Sequence, residues 1–199
     1  MKIKICGMRR IEDIEMINQF NIDYAGFIFY PKSFRYVDAL TVKELGKHLT
    51  KAKKVGVFVN EELDKVIEIA NTANLDIIQL HGEEDQIYID TLKKKCKQEI
   101  WKALRIRNKE DLKGLALQHI DHFLLDSFTK EYGGSGKTFN HELLNNIDLS
   151  NIFIAGGINK ENIKHILSYS PYGVDISSSI ETNQYKDINK LKEIMEELQ

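Results

Sequence analysis

A small closed (β/α)8 barrel is the fold the sequence predicts, and three observations predict it. Eight short β-branched or apolar runs alternate with segments whose apolar residues recur every three or four positions, the rhythm of strand, helix, strand. The runs are mostly apolar on both faces, as expected for strands covered by helices and not for half-wet antiparallel ones. The first strand–helix turn reads "CGMRR" and lacks the G-x-G-x-x-G fingerprint of a dinucleotide-binding open sheet, the main competing fold.

In chain order the strand-like runs are "IKIC" (3–6), "YAGFIF" (24–29), "KVGVFV" (54–59), "DIIQL" (76–80), "IWKALRI" (100–106), "HFLLD" (122–126), "NIFIAG" (151–156) and "GVDIS" (173–177). Helical stripes lie between and after them. In 61–73, Leu63, Val66, Ile67 and Ala70 share one face, and in 187–198 Ile188, Leu191, Ile194 and Leu198 do the same. "NKED" before Leu112 and "NKEN" before Ile163 read as helix starts, with Asn108 and Asn159 as N-caps. Proline occurs only at Pro31 and Pro171, and no Ser/Gly-rich linker divides the chain. Residues 1–199 are therefore expected to form a single domain, small for this fold, with short loops.

Composition removes several function classes. Lys and Arg number 28 against 30 Asp and Glu, a formal net charge of −2, which gives no whole-chain drive toward nucleic acid or an anionic membrane. The two cysteines, Cys6 and Cys96, belong to no C-x-x-C pair, so neither a disulfide scaffold nor a zinc site is expected. "KIKIC" is too short an apolar run for a signal peptide, and no segment reaches the ~18 apolar residues of a membrane span. A cytoplasmic location, a small-molecule partner, no metal and no cofactor are the expectations. Both a monomer and a homodimer fit the sequence.

In a barrel of this kind the working residues gather at the carboxyl ends of the strands. Those positions hold Cys6 and Gly7, Arg35 after strand two, Val59 and Asn60, Gln79 and His81, Asp126 and Ser127, Gly156 and Gly157, and Ser177, Ser178 and Ser179. The glycines after strand seven and the serines after strand eight suit a phosphate, because backbone N–H groups there can approach an anion closely. Taken alone, Cys6 reads as a small buried hydrophobe, His81 as a satisfied core histidine and Arg35 as a solvated charge. Asp126, closing the apolar run "FLLD", must be paired, cap a turn or work. Cys96, among lysines before strand five, and Trp101 read as incidental and as packing.

The motifs resemble the phosphoribosylanthranilate isomerase family, small (β/α)8 barrels that run an Amadori rearrangement in tryptophan biosynthesis. The carrying segments are "KICGMRRIED" (4–13), "GFIFYPKSFRYV" (26–37), "VGVFVN" (55–60), "IIQLHGEE" (77–84), "LLDS" (124–127), "GGSGKTFN" (133–140), "IAGGIN" (154–159) and "GVDISSSIE" (173–181), with "KD" at 186–187. The resemblance implies Cys6 and Asp126 as catalytic residues and Arg35 as the partner of the anthranilate carboxylate. It implies Gly156, Gly157 and Ser178 as phosphate-binding, with Gln79 and His81 also lining the substrate. Three positions depart from the family's usual pattern: Phe34 stands where proline is usual before the arginine, Ser179 where glycine is usual, and Tyr185 where glycine precedes Lys-Asp.

The implied reaction converts N-(5-phosphoribosyl)anthranilate to 1-(2-carboxyphenylamino)-1-deoxyribulose 5-phosphate. Opening the ribose ring needs an acid for the departing oxygen, the role expected of Asp126. Moving the proton from the sugar's second carbon needs a base, the role expected of Cys6 as thiolate. Helix N-termini and the basic loop are expected to lower its pKa. Two other readings compete. One is a different phosphosugar enzyme such as indole-glycerol-phosphate synthase, of which Lys102 is a faint echo. The other is a phosphate-binding module without catalysis, to which the three departures would point.

Overall fold

The structure, a computed structural model, describes residues 1–128 and 138–198. Eight parallel strands close in sequence order, β1 Lys2–Cys6, β2 Tyr24–Ile28, β3 Lys53–Phe58, β4 Ile77–Leu80, β5 Glu99–Ile106, β6 His122–Ser127, β7 Ile152–Ile154 and β8 Gly173–Ile176. The last strand returns to the first, with Lys4 opposite Asp175 and Ile5 opposite Ile176. All eight expected runs are strands. Strand seven is shorter than its run because Gly156 and Gly157 turn into the left-handed region, at φ +78° and +64°.

The helices are α1 Ile11–Ile17, α2 Ala39–Gly46, α3 Leu63–Thr72, α4 Gln86–Lys95, α5 Ile163–Leu167 and α6 Ile188–Glu197. Asp38 caps α2 by accepting from the N–H groups of Leu40 and Thr41, and Asp85 caps α4 by accepting from Tyr88. The expected stripes face inward, with Val66 and Ala70 buried on α3 and Leu191 and Ile194 on α6. Asn159 accepts from the N–H groups of Glu161 and Asn162 and caps the turn that leads into α5.

After two strands the expected α-helix is a 3-10 segment instead. Asn108 does cap the first, Lys109–Ala116, but Gly114 lies so close to β5 that a Cβ would stand 2.5 Å from Leu104 Cδ2. A glycine mid-segment also weakens the α-helix. After β6 the 3-10 segment is His141–Leu144. Among the described residues no helix is long and apolar enough to cross a membrane.

Side chains alternate along each strand, so the core has two parts. Outward residues such as Ile5, Phe27, Phe58, Leu125 and Ile176 pack under the helices. Inside the barrel, Tyr24, Val55, Ile77, Trp101, Leu124 and Phe153 fill the lower layers. Trp101 is fully buried and stacks on Phe153 with ring centroids 4.7 Å apart, which is packing, as expected. Cys96 follows α4 and ends it, away from the carboxyl ends of the strands. With the lower lumen plugged by hydrocarbon, the polar inward residues are confined to the upper layer.

Candidate active site

Six inward residues on four strands supply that layer, and each is the product of strand alternation. On β1, Lys4 and Cys6 face the lumen, while Ile3 and Ile5 face the helices. On β8 Asp175 faces it, on β6 Asp126, and at the end of β4 Gln79 and His81. Lys4 is fully buried and its Nζ lies 2.8 Å from Asp175 Oδ2. On the far side Gln79 Nε2 lies 3.1 Å from His81 Nδ1, and His81 Nε2 lies 3.2 Å from Asp126 Oδ2. That last contact is close, but His81 Nε2 makes no hydrogen bond among the described residues. Asp175 feels the charges of both Asp126 and His81. A chain of ionisable groups thus crosses the mouth from Cys6 to Asp126.

The glycine loop after β7 touches Asp126. A Cβ at Gly156 would stand 2.7 Å from Asp126 Oδ1 and 2.6 Å from the Ser127 backbone nitrogen, so only glycine fits here, at a φ that L-residues avoid. The side-chain amides of Asn159 and Asn162 donate to the Gly157 carbonyl at 3.2 and 2.9 Å and tie the loop to the turn that follows it. Among the described residues, the N–H groups of Gly156 and Gly157 have no hydrogen-bond partner. Across from them Ser178 begins a short 3-10 turn, Ser178–Ile180, and the Ser179 hydroxyl is buried without a partner among the described residues. Ser177 Oγ donates to the Cys6 carbonyl at 3.0 Å, tying β8 to β1.

Arg35 comes to the same mouth from the β2–α2 loop. It lies over Gly7, where a Cβ would stand 2.6 Å from Arg35 Cδ, and Gly7 itself has φ +88°. Its Nε and Nη2 donate to the two oxygens of Glu181 at 2.8 and 2.6 Å, a bidentate pair buried from solvent. Lys186 Nζ also meets Glu181, at 2.9 Å. Two cations share one carboxylate, so the cluster keeps a net positive charge. Burial would raise the Glu181 carboxyl, but Arg35 and Lys186 more than offset it and hold it below its ordinary value.

One expectation is overturned. The Cys6 thiol is pushed up, not down: burial raises it, and the Lys4 and Lys186 ammonium groups only partly oppose that. Cys6 is buried in the barrel wall, so desolvation of the thiolate outweighs the nearby cations. Lys102 is also settled, since alternation turns it away from the lumen, with its Nζ 2.7 Å from Glu84 Oε2 and 2.6 Å from the Gly82 carbonyl. It braces the β4–α4 loop and leaves the indole-glycerol-phosphate synthase reading without its lysine.

All eight expected site residues lie on the loops and strand ends of the mouth. Lys4, Asp175, Glu181 and Lys186 were not anticipated. The signal was present for two of them, since Lys4 precedes Cys6 by two residues and Asp175 precedes Ser177 by two, the period of a strand. Residues 133–137 of the "GGSGKTFN" segment lie outside the described residues.

Residues 3–197 match the family model described as N-(5'-phosphoribosyl)anthranilate (PRA) isomerase. The N-(5'-phosphoribosyl)anthranilate isomerase of Thermoanaerobacter sp. (strain X514) is 45% identical over 202 residues, covering 100% of this chain and 98% of its own. The crystal structure of phosphoribosyl anthranilate isomerase from Thermotoga maritima is similar with a TM-score of 0.88 at 33% identity, over 98% of this chain and 97% of that one. A further solved phosphoribosyl anthranilate isomerase, in complex with reduced 1-(o-carboxyphenylamino)-1-deoxyribulose 5-phosphate, has a TM-score of 0.83 at 28% identity, over 98% of this chain and 97% of that one.

Proposed function

The chain belongs to the N-(5'-phosphoribosyl)anthranilate isomerase family, and from that premise we propose how its residues divide the Amadori rearrangement of tryptophan biosynthesis among them. Asp126 is the general acid and Cys6 the general base. Gly156, Gly157 and Ser178 hold the phosphate, Arg35 holds the anthranilate carboxylate, and Gln79 and His81 orient Asp126 and the sugar.

The observation that carries this reading is the order of groups around the mouth. The phosphate loop abuts Asp126, which suits a substrate whose phosphate is one carbon from the ribose ring. The departing ring oxygen then falls beside the acid. Cys6 lies on β1 between that region and Arg35, the position from which a base reaches the second carbon while the arylamine extends toward the guanidinium. Glu181 uses two of the five N–H donors of Arg35. The cluster's residual positive charge favours a carboxylate ligand. In the bound complex of the solved relative the ligand carries both a carboxylate and a phosphate, the two anionic ends this mouth is built to receive.

Protonation of the ring oxygen by Asp126 opens the ribose and leaves an iminium, which acidifies the neighbouring carbon. Abstraction of that proton by the Cys6 thiolate gives the enolamine, which tautomerises to the aminoketone. Each such step is worth about 10²–10⁴-fold in rate. Consumption of phosphoribosylanthranilate, followed by fluorescence, tests the assignment. Cys6→Ala and Asp126→Asn are each expected to lose turnover by at least two orders of magnitude with an unchanged melting temperature. Near-normal turnover in either variant refutes its role, and tight binding of the product analogue without turnover in the wild type would favour the binding-module reading.

A further inference from the structure

Lys4, Cys6 and Asp175 share the lumen where β8 closes on β1. Lys4 and Cys6 stand two residues apart on one face of β1, and Asp175 is the register partner of Lys4. The fully buried Lys4 ammonium lies 2.8 Å from Asp175 Oδ2, and its charge acts on the Cys6 thiol two residues along the same face. From β2 the sulfur meets Gly26, where a Cβ would stand 2.8 Å from Sγ. At that position β2 presents only backbone to Sγ, and the strand's ionisable residue, Tyr24, lies a layer below among the aromatic rings. Asp175 Oδ1 is buried with no hydrogen-bond partner among the described residues, so Lys4 is its principal compensation. A cation this deep is costly unless paired, and one carboxylate oxygen does not use its three donors.

We propose that Lys4 is the positioning residue that makes Cys6 a base: its ammonium is the counter-cation of the thiolate, and Asp175 competes with the sulfur for it. Asp175 holds Lys4 beneath Cys6 and, by sharing its charge, limits how much thiolate forms. The remaining charged groups around the sulfur are fewer and less direct. Lys186 acts on it from the β9–β10 hairpin (Glu181–Thr182 and Tyr185–Lys186). Arg35 lies beyond Gly7, and Asp126 and His81 act on Asp175 from across the mouth. The directions of the shifts agree. Burial raises the thiol, Lys4 pulls it back and Asp175 raises it further. Burial works against the Lys4 ammonium, but Asp175 and Cys6 more than offset this, and its pKa is raised.

This inference rests on Cys6 being the catalytic base, and its test reads the thiol itself, so the two can fail separately. In the full chain carrying Cys96→Ser, the ultraviolet absorbance of the Cys6 thiolate is titrated with pH, and kcat/KM is measured over the same range. Lys4→Met is expected to raise the thiol midpoint by about one unit, a tenfold loss of thiolate at neutral pH, and to move the kcat/KM profile by the same amount. Asp175→Asn is expected to lower the midpoint. A merely structural role would not move the two variants in opposite directions. If Lys4→Met does not fold, the neutral pair Lys4→Met/Asp175→Asn replaces it and must titrate above Asp175→Asn alone. A midpoint unmoved by loss of Lys4, or raised by Asp175→Asn, overturns the proposal. Catalysis unaffected by Cys6→Ala would refute the base assignment without touching the thiol titration.

Discussion

Arg9 is where two of the sequence departures meet. Its guanidinium lies 5.7 Å from the centroid of Phe34 and 5.2 Å from that of Tyr185, and it donates to the carbonyls of Phe34 and Gln184. Arg35 stacks on Phe34 at 4.1 Å, and Arg10 on Tyr185 at 4.1 Å. Where the family usually stiffens the arginine loop with proline, this chain clamps it by cation–π contacts to the hairpin opposite. Tyr185 and Phe34 are thus one feature, legible in the sequence only as two unrelated oddities. Arg35 sits under that clamp, and its loss leaves Glu181 still neutralised by Lys186. Arg35→Ala is therefore expected to weaken binding of the product analogue about 10–100-fold, the scale of a lost charge-assisted hydrogen bond, with a smaller effect on kcat. Calorimetric titration checks it, and wild-type affinity would remove the carboxylate role.

The element that presents Glu181 to Arg35 is the β9–β10 hairpin. Asn183 and Gln184, at φ +52° and +66°, make its two-residue turn, and Lys186 pairs with Glu181 across it. Asp187 then caps α6 through the Asn189 N–H and accepts from Thr182 Oγ1 at 2.8 Å. Lys190 Nζ donates to the Glu181 carbonyl at 2.6 Å. Cap and hairpin are one construction, so Asp187→Ala is expected to cost about 1 kcal/mol and to lower the melting temperature by ~2–4 °C. Thermal unfolding followed by circular dichroism reads it, and an unchanged midpoint would show that the cap contributes nothing. The hairpin escaped the sequence reading because Asn-Gln lacks the glycine that marks such turns. The strands did not escape it, because eight apolar runs separated by helical stripes admit few other arrangements. The 3-10 segment after β5 was hidden because its cap, Asn108, is a good one, and only the approach of Gly114 to Leu104 shortens it.

Over the whole molecule the carboxylates set the acid limit. Glu181, Asp38, Asp111 and Asp187 are all held below their ordinary values. Burial would raise Glu181, but its two cations prevail, and hydrogen bonds from Thr41, Arg107 and Thr182 are the main causes for the other three. A depressed carboxyl contributes stability that is fully present above its unfolded value, about 4, and is lost as pH falls through its folded value. Asp175, raised by burial, runs the opposite way. Denaturant unfolding over a pH series is thus expected to show a stability plateau near neutrality and a steep loss below about pH 4. Stability that is flat into stronger acid would show these pairs are not formed.

What the sequence determined by itself was everything that depends on local order. Period-two and three-to-four-residue patterns named the strands and helices. A succession of strand–helix units puts every strand's carboxyl end on one face, which by itself brings Cys6, Asp126, Gly156 and Gly157 to a common mouth. Tertiary structure alone decided the pairings: Lys4 with Asp175, 171 positions apart, and Arg35 with Glu181, 146 apart. Those follow from the register at which β8 closes on β1 and from a hairpin after it, neither of which has a local signature. It also reversed the sign expected for the thiol, because a pKa is set by how much water is excluded from the group, and burial is a property of the closed barrel.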